Sequence, residues 1–121
     1  MSYDEENIFA RILRGEIPCR KIFENNEALA FHDAYPKAPI HAIVIPKAAY
    51  QNVYEFYQKA TPDQMKGFSE AILNVIDLLG LKEYGYRMIT NHGLYGGQEI
   101  PHFHVHLLGG KPLGRMVANP N

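Results

Sequence analysis

HFHVHLL, residues 102–108, is the stretch whose reading decides the fold. Imidazoles and apolar side chains alternate along it. A period of two belongs to a β-strand, so His102, His104 and His106 share one face. Phe103, Val105 and Leu107 share the other. The apolar face needs a cover, and the chain offers one strong helix to supply it. In TPDQMKGFSEAILNVIDLLG, residues 61–80, Thr61 caps, Pro62 fits the first helical position and Gln64 completes a capping box. Met65, Phe68, Ile72, Ile76 and Leu79 keep a helical period, and Gly80 supplies the stop.

Working outward, HAIVIPK (residues 41–47) is almost continuously apolar and reads as a central strand that ends at Pro46. RKIFENN (20–26) and ALAFHD (28–33) read as two strands around a turn at Asn25 and Asn26. YGYRMITN (84–91) reads as a fourth strand, and HFHVHLL is the fifth. NHGLYGGQ (91–98) lies between these two and reads as a turn or loop. EENIFARILRG (5–15) reads as a short helix with the stripe Ile8, Phe9, Ile12 and Leu13, stopped by Gly15. AYQNVYEFYQKA (49–60) reads as a loop with at most one helical turn. The pattern predicts an α+β fold: a five-stranded antiparallel sheet, a short N-terminal helix and one long helix covering one face. The opposite face is expected to be free for a ligand. One domain is expected over residues 1–121, with an extended tail from about 111.

Composition narrows the function. Lys and Arg number 12 against 13 Asp and Glu, which argues against a broad basic surface for extended nucleic acid. A single cysteine, Cys19, excludes a disulfide within the chain and a Cys-rich zinc site. We read it as structural. The opening MSYDEENIF lacks an apolar signal core, and no run reaches membrane-spanning length. The expectation is a cytoplasmic protein with no membrane partner.

Neighbouring imidazoles on one strand face lie roughly 6.5 Å apart. Three readings of such a row compete. A solvated polar face would be served as well by Lys, Thr or Glu. A metal site has a start in His-x-His, with His41 or Glu99 as a third ligand. Nucleophilic catalysis on phosphorus uses all three rings. A neutral imidazole is a good nucleophile near pH 7, and its neighbours can bind phosphate and move protons.

HFHVHLL resembles the signature of the histidine triad nucleotide hydrolases and transferases. The resemblance extends to NIFARILRGEIP, LAFHDAYPKAPIHAIVIPK and NHGLYGGQEIPHFHVHLLGG in the same order. The pair Gly109–Gly110 resembles the Hint branch, the nucleoside phosphoramidases, rather than the dinucleoside polyphosphate hydrolases. The resemblance implies hydrolysis of nucleoside phosphoramidates through a nucleotidyl-histidine on His104. Alternatives are a dinucleoside polyphosphate hydrolase and a nucleotide-binding regulator with little turnover. It makes His102 and His106 flanking groups that bind phosphate and handle the leaving group's proton, and puts His41 in the proton network. Asp33 becomes the acceptor for ribose hydroxyls. Ile8, Phe9, Ile12, Phe31 and Ala34 surround a purine. Asn91, Gly97 and Gln98 approach the phosphate or sugar, the turn through its backbone N–H groups. Glu99 stands where some members carry a serine and would favour a cationic leaving amine. No cofactor and no resident metal are implied. The partners implied are a purine nucleotide and a second copy of the chain, with Tyr84 and Tyr86 as interface candidates.

Overall fold

The computed structural model describes residues 2–119. Along the chain run α1 (Ile8–Leu13), β1 (Lys21–Glu24), β2 (Ala28–His32), β3 (Ile40–Pro46), α2 (Val53–Lys59), α3 (Pro62–Leu78), β4 (Arg87–Ile89), α4 (Gly93–Gly96) and β5 (Val105–Gly109). The strands form one sheet in the order β1-β2-β3-β5-β4. Every neighbouring pair is antiparallel. The α+β architecture expected from the sequence is present, with β3 at its centre.

The long helix starts as its residues dictate. The Thr61 hydroxyl accepts the Gln64 backbone N–H, and the Gln64 side chain accepts the Thr61 N–H in return. These two bonds occupy donors that a helix start otherwise leaves unpaired. Its apolar stripe buries Phe68, Ala71, Val75 and Ile76 against the sheet. Ala30, Val44, Val105, Leu107 and Phe103 meet them from below.

Two expectations need correction. Residues 49–60 hold a genuine helix, α2, and not a loop with at most one turn. Asn52 caps it through the Glu55 N–H, and the Glu55 carboxylate accepts the Gln51 N–H. The Asn52-x-x-Glu55 spacing is a helix-start signal that was legible. Phe56 anchors the helix, with its ring 4.9 Å from Phe103 and 5.2 Å from Phe68.

The second correction concerns the other face of the sheet, which is not free. α1 lies over it, and Phe9 joins Leu29, Phe31, Ile43 and Ile45 in a second buried cluster. Asn7 caps α1 by accepting the Ala10 N–H at 2.9 Å.

Beyond β5 the tail is tied down by Arg87, whose guanidinium donates to the carbonyls of Gly114 and Arg115. A cavity of about 730 Å³ lies nearby, lined by Leu81, Tyr84, Tyr86, Arg87, Pro112 and Leu113. None of the histidines lines it.

Candidate active site

The hydrogen-bonded ladder of β5 begins only at Val105, so His102 and His104 precede it. The alternation nevertheless continues. Phe103 points into the core beneath α3, with its ring 5.1 Å from Phe68. His102 and His104 point the other way, 6.3 and 4.9 Å from Phe9 on α1. Long-range bonds hold this segment without a ladder. The Phe103 N–H donates to the Tyr50 carbonyl at 2.8 Å. The Thr90 hydroxyl donates to the His104 carbonyl at 2.8 Å. Pro101 stands outside the strand instead of opening it, so its missing N–H costs no ladder bond.

His104 Nδ1 lies 2.6 Å from the carbonyl oxygen of His102. A carbonyl can only accept, so Nδ1 carries the proton. A neutral ring then has its lone pair at Nε2. Burial pushes the His104 pKa below its ordinary value, which keeps the ring neutral near pH 7.

His106 is on the same face, its ring 5.0 Å from that of His104. Its Nδ1 is 2.9 Å from His41 Nε2. His41 Nδ1 accepts the Lys37 backbone N–H at 3.0 Å, so the neutral His41 proton resides on Nε2. His106 Nδ1 is therefore an acceptor, and its own proton is on Nε2. Asp33 Oδ2 lies 3.3 Å from His41 Nε2, while Oδ1 accepts the Tyr35 N–H. One oxygen thus serves the local turn and the other faces the histidines. Asp33, His41 and His106 each place one potential ligand atom within 4.8 Å of the others, but the proton on His41 Nε2 leaves no lone pair there for a cation. The zinc set considered from the sequence differs. His102 and His104 are not in this group, and Glu99 is exposed outside it.

A family model described as HIT domain matches residues 14–113. The chain belongs to the HIT domain family. It is 47% identical over 117 residues to an uncharacterized 13.2 kDa HIT-like protein of Azospirillum brasilense, covering 97% of this chain and 96% of the relative. It is 39% identical over 116 residues to the purine nucleoside phosphoramidase of Escherichia coli, covering 95% and 96%. A solved HIT family hydrolase from Clostridium thermocellum superposes with a TM-score of 0.85 at 35% identity, over 94% of this chain and 98% of that one. The HIT chain is thus hydrolase-like in family and fold.

Other expected site residues of the HIT chain are arranged less simply. His102 is fully buried rather than open to a ligand. Its Nε2 faces the Pro46 carbonyl at 2.8 Å, and its Nδ1 meets the Tyr3 hydroxyl. Both nitrogens being occupied, it has none left for phosphate. The turn N–H groups also face inward: Gly97 donates to the Leu94 carbonyl and Gln98 to that of Gly93. The Gln98 amide braces the loop, donating to the carbonyls of Gln51 and Ile100. The backbone N–H groups of Gly97 and Gln98 are therefore used within the turn itself. Asn91 donates to the Gly96 carbonyl at 2.6 Å. Ile8 and Ala34 are exposed, Ile12 is half-buried, and Phe9 and Phe31 are buried with rings 5.7 Å apart.

Gly109 and Gly110 have packing reasons to be glycine. A Cβ on Gly109 would sit 2.7 Å from Leu81, and Gly110 has φ +92° beside Pro39. Residues that the sequence did not single out complete the site: Tyr3, Thr90, and the backbones of Lys37 and Pro46. Only a fold brings them there. His32 is half-buried, and exposed His92 stacks on Tyr54. Neither joins the cluster.

Burial, the largest cause for each, pushes His102 and His106 down to about 4. The nearby His104 lowers both further, and His41 adds to the effect on His106. A histidine with a depressed folded pKa binds its proton more readily when unfolded. Its contribution is fully present above the ordinary value of about 6.5 and is lost as pH falls toward 4. Thermal melts between pH 7 and pH 4 are expected to show a falling midpoint. A His106→Asn variant should fall less steeply. Equal slopes would mean that His106 does not take part.

Proposed function

We propose that this chain hydrolyses nucleoside phosphoramidates in two steps, with His104 as the nucleophile. One observation carries the reading: His104 Nδ1 is engaged by the His102 carbonyl at 2.6 Å, which leaves an Nε2 lone pair on a neutral ring. The E. coli relative, a purine nucleoside phosphoramidase, supports the substrate class.

His104 Nε2 attacks phosphorus, and the P–N bond to the leaving amine breaks. An amine leaves poorly unless protonated. The His41–His106 pair, once it has taken up a proton from solvent, supplies it through His106 Nε2 and returns to its neutral form, because His102 has both nitrogens occupied. The Asp33 carboxylate beside His41 favours that added proton on the His41–His106 pair. Water then attacks the nucleotidyl-histidine and returns a proton to His106. The bond to His104 breaks, and a nucleoside monophosphate leaves. Ile8, Phe9, Ile12, Phe31 and Ala34 wall the purine. Asp33 accepts from the ribose with lone pairs beyond those facing the Tyr35 N–H and His41, and Asn91 bonds the sugar or phosphate side.

The test is a panel of nucleoside phosphoramidates and dinucleoside polyphosphates. Rapid turnover of the phosphoramidates is expected, with one nucleoside monophosphate attached to acid-quenched protein at His104. Glu99→Ser in the same panel should weaken any preference for cationic leaving amines. Cleavage of dinucleotides alone would replace this reading with the polyphosphate hydrolase.

We also propose a two-fold dimer that extends the sheet across β4. The exposure of Tyr84 and Met88 beside that edge supports it. Sedimentation at micromolar concentration checks it, and a monomer would count against it.

A further inference from the structure

His102 has an unusual setting for a member of a reactive row. Its side chain is fully buried, so each ring nitrogen needs a protein partner. At Nε2 the partner is the Pro46 carbonyl, 2.8 Å away. A carbonyl cannot donate, so Nε2 holds the proton and Nδ1 holds a lone pair. At Nδ1 the partner is the Tyr3 hydroxyl. That hydroxyl has one proton and donates it to Nδ1. The Asn7 amide is engaged elsewhere, donating to the Asp4 carbonyl at 2.7 Å. Asn7 is buried and caps α1 through its carbonyl oxygen. A one-way chain of donors therefore runs from Tyr3 through His102 to the Pro46 carbonyl. The Tyr3 ring stands edge-on to His102 with centroids 5.7 Å apart, which restricts the imidazole further.

We infer that Tyr3 is a positioning residue that locks His102 as the Nε2–H tautomer and so holds the His102 carbonyl on His104 Nδ1–H. With the other tautomer, the His102 lone pair would face the Pro46 carbonyl oxygen. Two acceptors at that distance repel, so the ring would turn away. The carbonyl that orients His104 belongs to the same residue, and a shift of His102 disturbs it. The lock itself follows from donor and acceptor chemistry. Its consequence for turnover rests on the proposed role of His104.

The experiment uses the full chain labelled with ¹⁵N-histidine, as wild type and Tyr3→Phe. In the wild type, His102 is expected to show an unprotonated Nδ1 and a protonated Nε2. Tyr3→Phe should move the Nδ1 resonance and lower kcat about tenfold with KM nearly unchanged, the scale of one unsatisfied buried acceptor. A merely structural role would lower the melting temperature and leave the His102 resonances and kcat in place. That result, or a wild-type His102 protonated at Nδ1, overturns the inference. If the wild type turns over no phosphoramidate, the resonances alone decide the lock. Failure of the proposed function is thereby kept distinct from failure of this inference.

Discussion

His104→Ala is expected to lose phosphoramidate turnover by on the order of 10⁴-fold or more, the scale seen when a nucleophile is removed. No neighbouring ring can take its place. His102 has both nitrogens bonded within the protein. His106 Nδ1 is engaged by His41, and its remaining nitrogen carries the proton that the leaving amine needs. Nucleotide binding should survive, because the walls expected for the base belong to α1 and β2. The alanine also removes a ring packed 4.9 Å from Phe9, so a small drop in stability accompanies the chemical loss. Three measurements check this: single-turnover kinetics, mass analysis of quenched protein and nucleotide binding. Residual activity within tenfold of wild type would end the role assigned to His104.

The largest effect on stability is expected from Phe103→Ala, roughly 3–5 kcal/mol. Phe103 is 3% exposed and sits between Phe56 of α2 and Phe68 of α3. Its ring joins both helices to the segment that carries the histidines, and alanine would leave a cavity that rigid neighbours fill poorly. Flanking His102 and His104 should lose their alignment too, so kcat should fall although no reacting atom is touched. Denaturant unfolding with activity measured in parallel checks both effects. A loss below about 1 kcal/mol would show that the two helices close over the gap.

Both predictions rest on a pattern visible in the chain itself. Alternation at 102–107 separates imidazoles from Phe103, Val105 and Leu107, and the structure keeps that separation even where the ladder has not begun. Thr61, Pro62 and Gln64 gave the start of α3 to the residue. Asn52 and Glu55 carried the same kind of signal for α2, and tyrosines interleaved with polar residues hid the helical period there. The glycines of residues 93–97 read as a turn, and the structure forms a four-residue helix closed by Gly97 at φ +74°.

Local sequence determined which side chains share a face, because strand and helix periods are properties of the backbone alone. It also determined where the long helix begins, because capping partners lie within four residues of each other. Tertiary structure alone decided that α1 covers the imidazole face and that His102 is buried. It alone decided which nitrogen of each ring holds the proton. The partners that set those tautomers are the Pro46 carbonyl, the Lys37 N–H and the Tyr3 hydroxyl. Pro46 is 56 residues from His102 and Tyr3 is 99. A proton's position on an imidazole depends on what faces each nitrogen, and no spacing along the chain encodes that.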